Sequence, residues 1–533
     1  MKIGIYRLFC RFCISLSCLL NDIQKREENN LKTKEMRGIT LISLVVSIII
    51  LLILSGITIS ALSGENGVLN KTAEAKQKSQ ESQEIEKIKL AISGIAIGNM
   101  EYEQLDENSL QNEIDKEFGS QEVKVSKNPN NSILINFKDS GNTYCIDDKI
   151  KKVDMYISTQ QDLKKFRDDV NSGNTYEGKY IYLLNDIELD GNEQWKPIGL
   201  YPKESTGITD NEQNKAFKGT FDGGGHTIDG INIDTTERGQ GLFGLVDNAK
   251  IINLKIGEKS NIIGGASTGG VCGYMYNNSE ISNCSNNANV TGSIFVGGIV
   301  GYSKLNCNIY SCENSGNIIT NTNTVGGICS SNSGKIEKCY NSGKINAKNY
   351  GASGICYLNN ENEDVKILKC YNLGEIITSQ YASGICGVNT GSIEECFNKI
   401  DIKATGNAVS GITNENNKLV KNCYNIGNIE GIYNTGAIIG NNKGGECANC
   451  YNSGDVISKS NIETNGFIGK NDNGKYTNCF FDSSKKIEGK TYDIEGIQFI
   501  SMNEIIKSIN SLGKDFKEDK DNINNGYPIL SWQ

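Results

Sequence analysis

The chain has one histidine, four prolines and two tryptophans among 533 residues. A single imidazole, His226, excludes any metal centre built on two or more histidines. It also leaves a Ser-His-Asp or Cys-His site only if an oriented partner stands beside it. The scarcity of proline suits long stacked ladders, because each proline removes a backbone donor. There is no basic excess either. The net charge is −9, and since residues 1–38 carry +4, the remainder carries −13. A mildly acidic exterior argues against nucleic acid as a partner. The Gly-Gly-x-Gly-x-Asp calcium pattern is missing, so calcium stapling of a solenoid is not indicated. No helical periodicity spans even ten positions between residues 264 and 483, which excludes helices there.

What fills that stretch is one phrase repeated eight times: a polar residue, Cys, usually an aromatic, Asn, any residue, usually Gly. Its cysteines are Cys284, Cys312, Cys339, Cys370, Cys396, Cys423, Cys450 and Cys479, spaced 26 to 31 residues apart. A period of roughly 27 residues marks a solenoid whose units cannot bury their apolar faces alone. Three residues before each Cys the column reads Ile281, Ile309, Ile336, Ile367, Ile393, Val420, Cys447, Tyr476. Six residues after it the column runs from Val290 to Val456, with Lys485 breaking the last copy. Short β-branched runs between Gly, Asn and Ser predict three strands per coil of a parallel β-helix.

Alternation points each Cys inward and the next residue outward. The outward residues form an aromatic stripe of Tyr340, Tyr371, Phe397, Tyr424 and Tyr451. Flat rings with polar tips suit sugar rings or a partner protein, and they equally suit stacking that only stabilises the solenoid. The Asn two residues after the Cys, from Asn286 to Asn452, becomes a ladder at ~4.8 Å per coil, placed at a corner where Asn tolerates a left-handed turn.

Of the 18 cysteines, those that recur once per coil read as packing residues. A second column holds Cys272, Cys329, Cys356 and Cys386, interchanged with Val300, Thr413 and Ile439. Such interchange is the behaviour of a small hydrophobe, so reduced, buried thiols are expected. Cys447 and Cys450 have zinc-hook spacing, but no second hook lies nearby, so no metal is expected. Cys307 falls at a turn and is expected to be an exposed thiol. His226, flanked by Asp222 and Asp229 and next to three glycines, reads as structural. Glu394, Glu395 and Asp364 read as solvated exterior acids. No catalytic residue, metal or cofactor is therefore expected, and the chain is not expected to be an enzyme.

Residues 39–62 carry no charge and reach ~36 Å as a helix, enough to cross a ~30 Å hydrocarbon core. Five basic residues between Lys25 and Arg37 place the N-terminus in the cytoplasm and the remainder outside. Beyond the span, 70–97 and 101–118 are helix-prone, and 121–125, 133–137 and 143–146 read as strands.

Two resemblances add to this reading. The stretches Gly241-Leu242-Phe243-Gly244 and Gly298-Ile299-Val300-Gly301, with the Cys-Tyr-Asn-Ser-Gly phrases at Cys339 and Cys450, resemble the GLUG repeat family. Residues 217–228 resemble the usual opening of such repeats and 525–532 their closing segment. The resemblance implies an extracellular β-helical surface module without implying one activity. Arg37-Gly38-Ile39-Thr40-Leu41-Ile42-Ser43-Leu44 resembles the type IV prepilin leader junction. It implies cleavage by a prepilin peptidase after Gly38 and methylation of Ile39. Ile39 and Ser43 stand where that family usually has Phe and Glu, a departure that bears on filament assembly. Short basic leaders of that type would place the true start near Met36.

The expected organisation is mainly β. A leader or cytoplasmic segment (1–38) and a transmembrane helix (39–62) precede a pilin-like helix with a small α+β region (63–154). The N-terminal part of a β-helix (155–263), the GLUG-like repeats (264–483) and a C-terminal cap (484–533) follow. The expected function is non-catalytic: a single-pass cell-membrane protein displaying an extracellular β-helix for adhesion or surface structure, with carbohydrate or protein as ligand. A β-helical polysaccharide lyase or hydrolase is one alternative. A minor pilin or pseudopilin of a type IV pilus or secretion system is the other.

Overall fold

The computed structural model describes residues 68–95, 105–119, 122–147, 150–202, 215–320, 322–348, 350–360, 364–459, 464–489 and 492–533. The expected span 39–62, with Gly38 and Ile39, lies outside the described residues. No helix among the described residues is long and apolar enough to cross a membrane. The chain divides into two compact units, 1–93 and 94–533. The first contributes most of a helix, Val68–Ile95.

The second unit opens with a small α+β head. The helix Glu107–Phe118 is capped by Asp106, which accepts from the Ser109 amide. Four antiparallel strands follow in chain order: Val123–Lys127, Ile133–Phe137, Thr143–Ile146 and Ile150–Val153. The last of these was not expected from the sequence. After it the chain enters a parallel β-solenoid. A full coil has five short strands rather than three, for example Lys250–Ile252, Lys255–Ile256, Asn261–Ile263, Ala266–Gly269 and Cys272–Tyr276. The five positions stack into parallel sheets of 12, 12, 10, 7 and 9 strands. The extra breaks come from the corners. Between the first and second strands the residue before each Cys adopts a left-handed conformation, as at Asn283, Lys338, Glu395 and Asn449. The left-handed residue is thus the one before the Cys, not the Asn after it.

A helix absent from the expected organisation, Gln160–Ser172, lies against the first coil. Thr159 and Asp162 form a capping box at its start, and Leu163, Phe166 and Val170 fall on one face. Phe166 meets Phe217 and Phe221 at 5.6 and 5.9 Å, so the helix covers apolar surface that a coil would otherwise cover.

Inside, the apolar columns stack in register from Phe221 and Ile251 to Cys447 and Tyr476, and all four of these residues are buried. Lys485 does not break its column. The chain slips by two residues, and Ile487 pairs with Val456 in its place. The Asn ladder is buried completely from Asn286 to Asn452. Up to Asn425 each side-chain amide donates to the next Asn, and typically to its own turn as well, as Asn314 does to the carbonyls of Gly316 at 2.9 Å and Asn341 at 2.8 Å. A second ladder, unforeseen in the sequence, runs Asn332, Asn359, Asn389, Asn416, Asn442 with steps of 2.9 to 3.1 Å.

The glycines of the Gly-aliphatic-x-Gly element make room for the first ladder. A Cβ at Gly298 would stand 2.3 Å from the Asn314 Cγ, and one at Gly354 would stand 2.4 Å from that of Asn372. Asn341→Ala removes the acceptor of Asn314 and the donor to Asn372, which are 2.8 and 2.9 Å from it. A loss of roughly 2–4 kcal/mol is expected, read as a lower urea midpoint by circular dichroism.

Candidate functional site

The aromatic stripe forms, and much of it is covered by the protein itself. From Tyr340 to Tyr451 successive rings stack 4.9–5.1 Å apart with planes within 7°. Each ring therefore covers its neighbours' faces and presents only edges. The C-terminal segment then folds back over the stripe. Its helices Met502–Lys507 and Ile509–Leu512 and the pairing of Phe516–Lys517 with Ile529–Leu530 bring Phe516, Tyr527 and Trp532 onto the rings. Tyr424 and Tyr451 are fully buried and Phe397 is 4% exposed. The polar tips are bound as well. Asn524 donates to the Tyr451 hydroxyl at 2.7 Å, and Tyr451 donates to the Pro528 carbonyl. Tyr424 donates to Gln533 at 3.0 Å. The expectation of a ligand-facing stripe is corrected for Phe397, Tyr424 and Tyr451: a stripe this apolar is itself the docking surface for the cap. Tyr340 and Tyr371 remain half-buried.

All fifteen described cysteines are buried, and none is in a disulfide. The repeat column is tied into the backbone. The Cys312 thiol donates to the Tyr310 carbonyl at 3.1 Å, and the Cys370 amide donates to the Cys396 sulfur at 3.4 Å. Burial pushes the Cys312, Cys370 and Cys423 thiols up. Cys307, expected at the surface, is buried, donates to the Lys304 carbonyl at 3.1 Å and is pushed up to about 12 by burial. The turn it occupies is closed beneath the next coil, where the Cβ of a residue replacing Gly334 would stand 2.0 Å from the Cys307 carbonyl. Cys447 faces the core with its sulfur 3.8 Å from that of Cys479. No group of three or more metal-ligating side chains occurs among the described residues.

His226 lies in the seam between head and solenoid. Its Nδ1 is 3.3 Å from Asp186, not from Asp222 or Asp229. Asp222 instead accepts from the Tyr180 hydroxyl, the Gly224 amide at 2.9 Å and Asn253 at 3.0 Å. Asp229 accepts from the Gly230 amide and from Ser260. The neighbouring glycines admit the head: a Cβ at Gly225 would stand 2.9 Å from the Asn130 amide nitrogen. Glu394 pairs with Lys366 at 2.8 Å on the exterior.

A cleft of about 880 Å³ opens beside the first coils. The segments 194–202 and 233–240, neither of them part of the repeat, form its walls. Helix and loop hold it rigid. Asn171 donates to the Pro197 carbonyl at 2.9 Å and accepts from the Gly199 amide at 2.9 Å. The Trp195 indole donates to the Leu242 carbonyl at 3.2 Å, while Arg167 sits 4.8 Å over its ring. Gln194 accepts from the Asp234 amide at 2.7 Å and ties the two walls together. Tyr201 lines the cleft with its ring 5.3 Å from Tyr274, which stacks on Tyr302 at 5.0 Å. Gly239 is left-handed, and a Cβ there would stand 2.7 Å from that of Tyr201. Three cations in the lining, Lys196, Lys215 and Arg238, are exposed and make no ion pair among the described residues.

This cleft escaped the sequence reading because nothing in it repeats. One signal was there: two of the four prolines, Pro197 and Pro202, and one of the two tryptophans fall within eight residues.

No family model matches the chain, and no curated protein does, so the two family resemblances rest on the phrases quoted above alone. Two solved structures are similar to it. One, described as a "putative immunoglobulin A1 protease" from Bacteroides ovatus, is 17% identical with a TM-score of 0.28, covering 72% of this chain and 93% of that one. The other, described as an IgA1 protease, is 13% identical with a TM-score of 0.24, covering 69% of this chain and 25% of that one. Likenesses this slight carry no argument about chemistry.

Two outcomes follow from the buried stripe and thiols. Tyr451→Ser is expected to lower stability by about 3 kcal/mol in a thermal melt, whereas Tyr340→Ser changes it far less. An unfolded thiol ionises near pH 9, whereas folded Cys145 and Cys307 hold their protons to about pH 12. Stability contributed by these groups is therefore full below pH 9 and falls as pH rises toward 12, read as a declining melting temperature.

Proposed function

We propose that this chain is a non-catalytic cell-surface protein that presents its solenoid outside the membrane for adhesion or surface structure. Residues 39–62 would anchor it, and a prepilin peptidase would cut between Gly38 and Ile39. The carbohydrate or protein ligand would meet the lateral cleft, not the aromatic stripe. The observation that carries this reading is a division between repeated and unrepeated residues. The repeated columns described above are occupied by stacking, whereas Lys196, Lys215 and Arg238 line a concavity and make no ion pair among the described residues. The resemblance of the repeat phrases to GLUG modules and of residues 37–44 to a prepilin junction supports display at the surface.

The acids Asp234 and Glu237 in the same lining favour one second reading, a β-helical carbohydrate-active enzyme, since glycoside cleavage uses two carboxyl groups. Release of new reducing ends from a bound glycan, lost in Asp234→Asn, would establish that reading. Under the adhesive reading no release occurs, and His226→Ala leaves attachment to cells unchanged. Mass spectrometry of the mature protein from native membranes is expected to find a methylated N-terminus at Ile39. A chain retaining Arg37 would make 39–62 a plain anchor and remove the link to pilins.

A further inference from the structure

The geometry points to an acidic oligosaccharide, one carrying carboxylate or sulfate groups, as the ligand of the lateral cleft. The inference rests on the adhesive reading above and specifies its ligand. Three features carry it.

The first is charge. The chain as a whole is acidic, at −9, yet the cleft lining is not: against the acids Asp234 and Glu237 it gathers Lys196, Lys215 and Arg238, none of these three with an ion-pair partner among the described residues. Many lysines of the solenoid exterior face carboxylates, as Lys403 faces Glu430 at 3.0 Å and Lys443 faces Glu415 at 2.7 Å, and ones unpaired among the described residues, such as Lys304 and Lys348, stand outside the cleft lining. Unpaired cations grouped in a concavity on an acidic protein attract an anion, and Arg offers a carboxylate or sulfate a fork of donors.

The second is the aromatic ledge. Tyr201 is braced on one side by Tyr274, and Tyr274 stacks on Tyr302 of the next coil. Unlike the stripe, Tyr201 ends this row in the cleft, where ring and hydroxyl can meet the apolar face and rim of a sugar. The row leads from the cleft along the coil axis, a course an extended saccharide chain can follow. Phosphopeptides and anionic membranes also carry negative charge. A membrane would require a flat or protruding cationic face, and the cations here line a concavity. The braced tyrosine row favours sugar rings over a peptide backbone.

The third is rigidity. The Asn171 clamp and the Gln194 tie hold the loop at 197–199 and join Gln194 to Asp234 before any ligand arrives, so these protein segments need little ordering on binding.

The test is calorimetry on the full chain in detergent, titrated with an oligogalacturonate, a heparin-derived oligosaccharide and a neutral glucose oligomer of equal length. At least one acidic probe is expected to bind at least tenfold more tightly than the neutral one, and less tightly as salt rises. The double variant Lys196→Gln with Arg238→Gln is expected to lose about tenfold in affinity for that probe with an unchanged melting temperature. Tyr201→Ala is expected to weaken the acidic and neutral probes alike. Equal binding of the neutral oligomer, or an unaltered affinity in the double variant, overturns the acidic assignment. If no saccharide binds but the protein still attaches to cells through a protein receptor, the glycan proposal falls and the adhesive reading survives. If neither occurs, both fall.

Discussion

A primary amide sealed in a protein interior must place its hydrogens and its oxygen, or folding loses the hydration it gave up. In this solenoid that demand is met once per coil and in one direction. Each Asn from Asn286 to Asn425 donates to the amide oxygen one coil on, and to the carbonyl two residues ahead, as at Asn286 and Asn341. The arrangement works only if successive coils stay in register, so the ladder excludes slipped stacking that the apolar columns alone would tolerate. It also fixes the glycines. Gly270, Gly298, Gly354 and Gly411 sit where any side chain would strike a ladder Asn within 2.4 Å. The repeated Cys follows the same logic. Its site admits a small side chain whose weak S–H donor reaches a carbonyl already turned inward, and valine could fill the space but not the bond.

Stacking of this kind occupies the repeated residues. A residue present in every coil is surrounded above and below by copies of itself, and its faces and hydrogen bonds are taken up by those copies. The aromatic stripe is the clearest case. Its rings satisfy one another face to face, and what remains exposed is apolar enough to recruit the cap, with Trp532 resting 6.2 and 5.9 Å from Tyr371 and Phe397.

Much of the fold was readable because stacking writes itself into sequence as a period. The Cys spacing gave coil length, the Ile columns gave the inward face, and the post-Cys Asn gave the first ladder. What the period could not show was how each coil breaks. Lys338, Lys369 and Glu395 adopt a left-handed backbone that their residue types do not advertise, and they split one expected strand into two. Asn332 and its successors were hidden for another reason: their spacing is the same as that of every other column, and only burial distinguishes a ladder from an exposed row. The burial of Cys307 and of Tyr451 likewise depends on chain from elsewhere, a neighbouring coil in one case and the cap in the other.

The lateral cleft was invisible to periodicity because it is built from residues that do not repeat. Recognition needs side chains of different kinds converging on one point, and a stacked column supplies one kind in a line. Convergence is therefore available only where the repeat is interrupted by segments held from outside it. Here the helix Gln160–Ser172 does this. Its Phe166 closes the first coil, and its Asn171 grips the loop that carries Lys196 and Tyr201. The residue that covers the apolar end of the solenoid and the residue that shapes the cleft lie within two turns of one helix. Completing the core and building a heterogeneous surface are thus done by a single element, and the start of the solenoid is where both become possible.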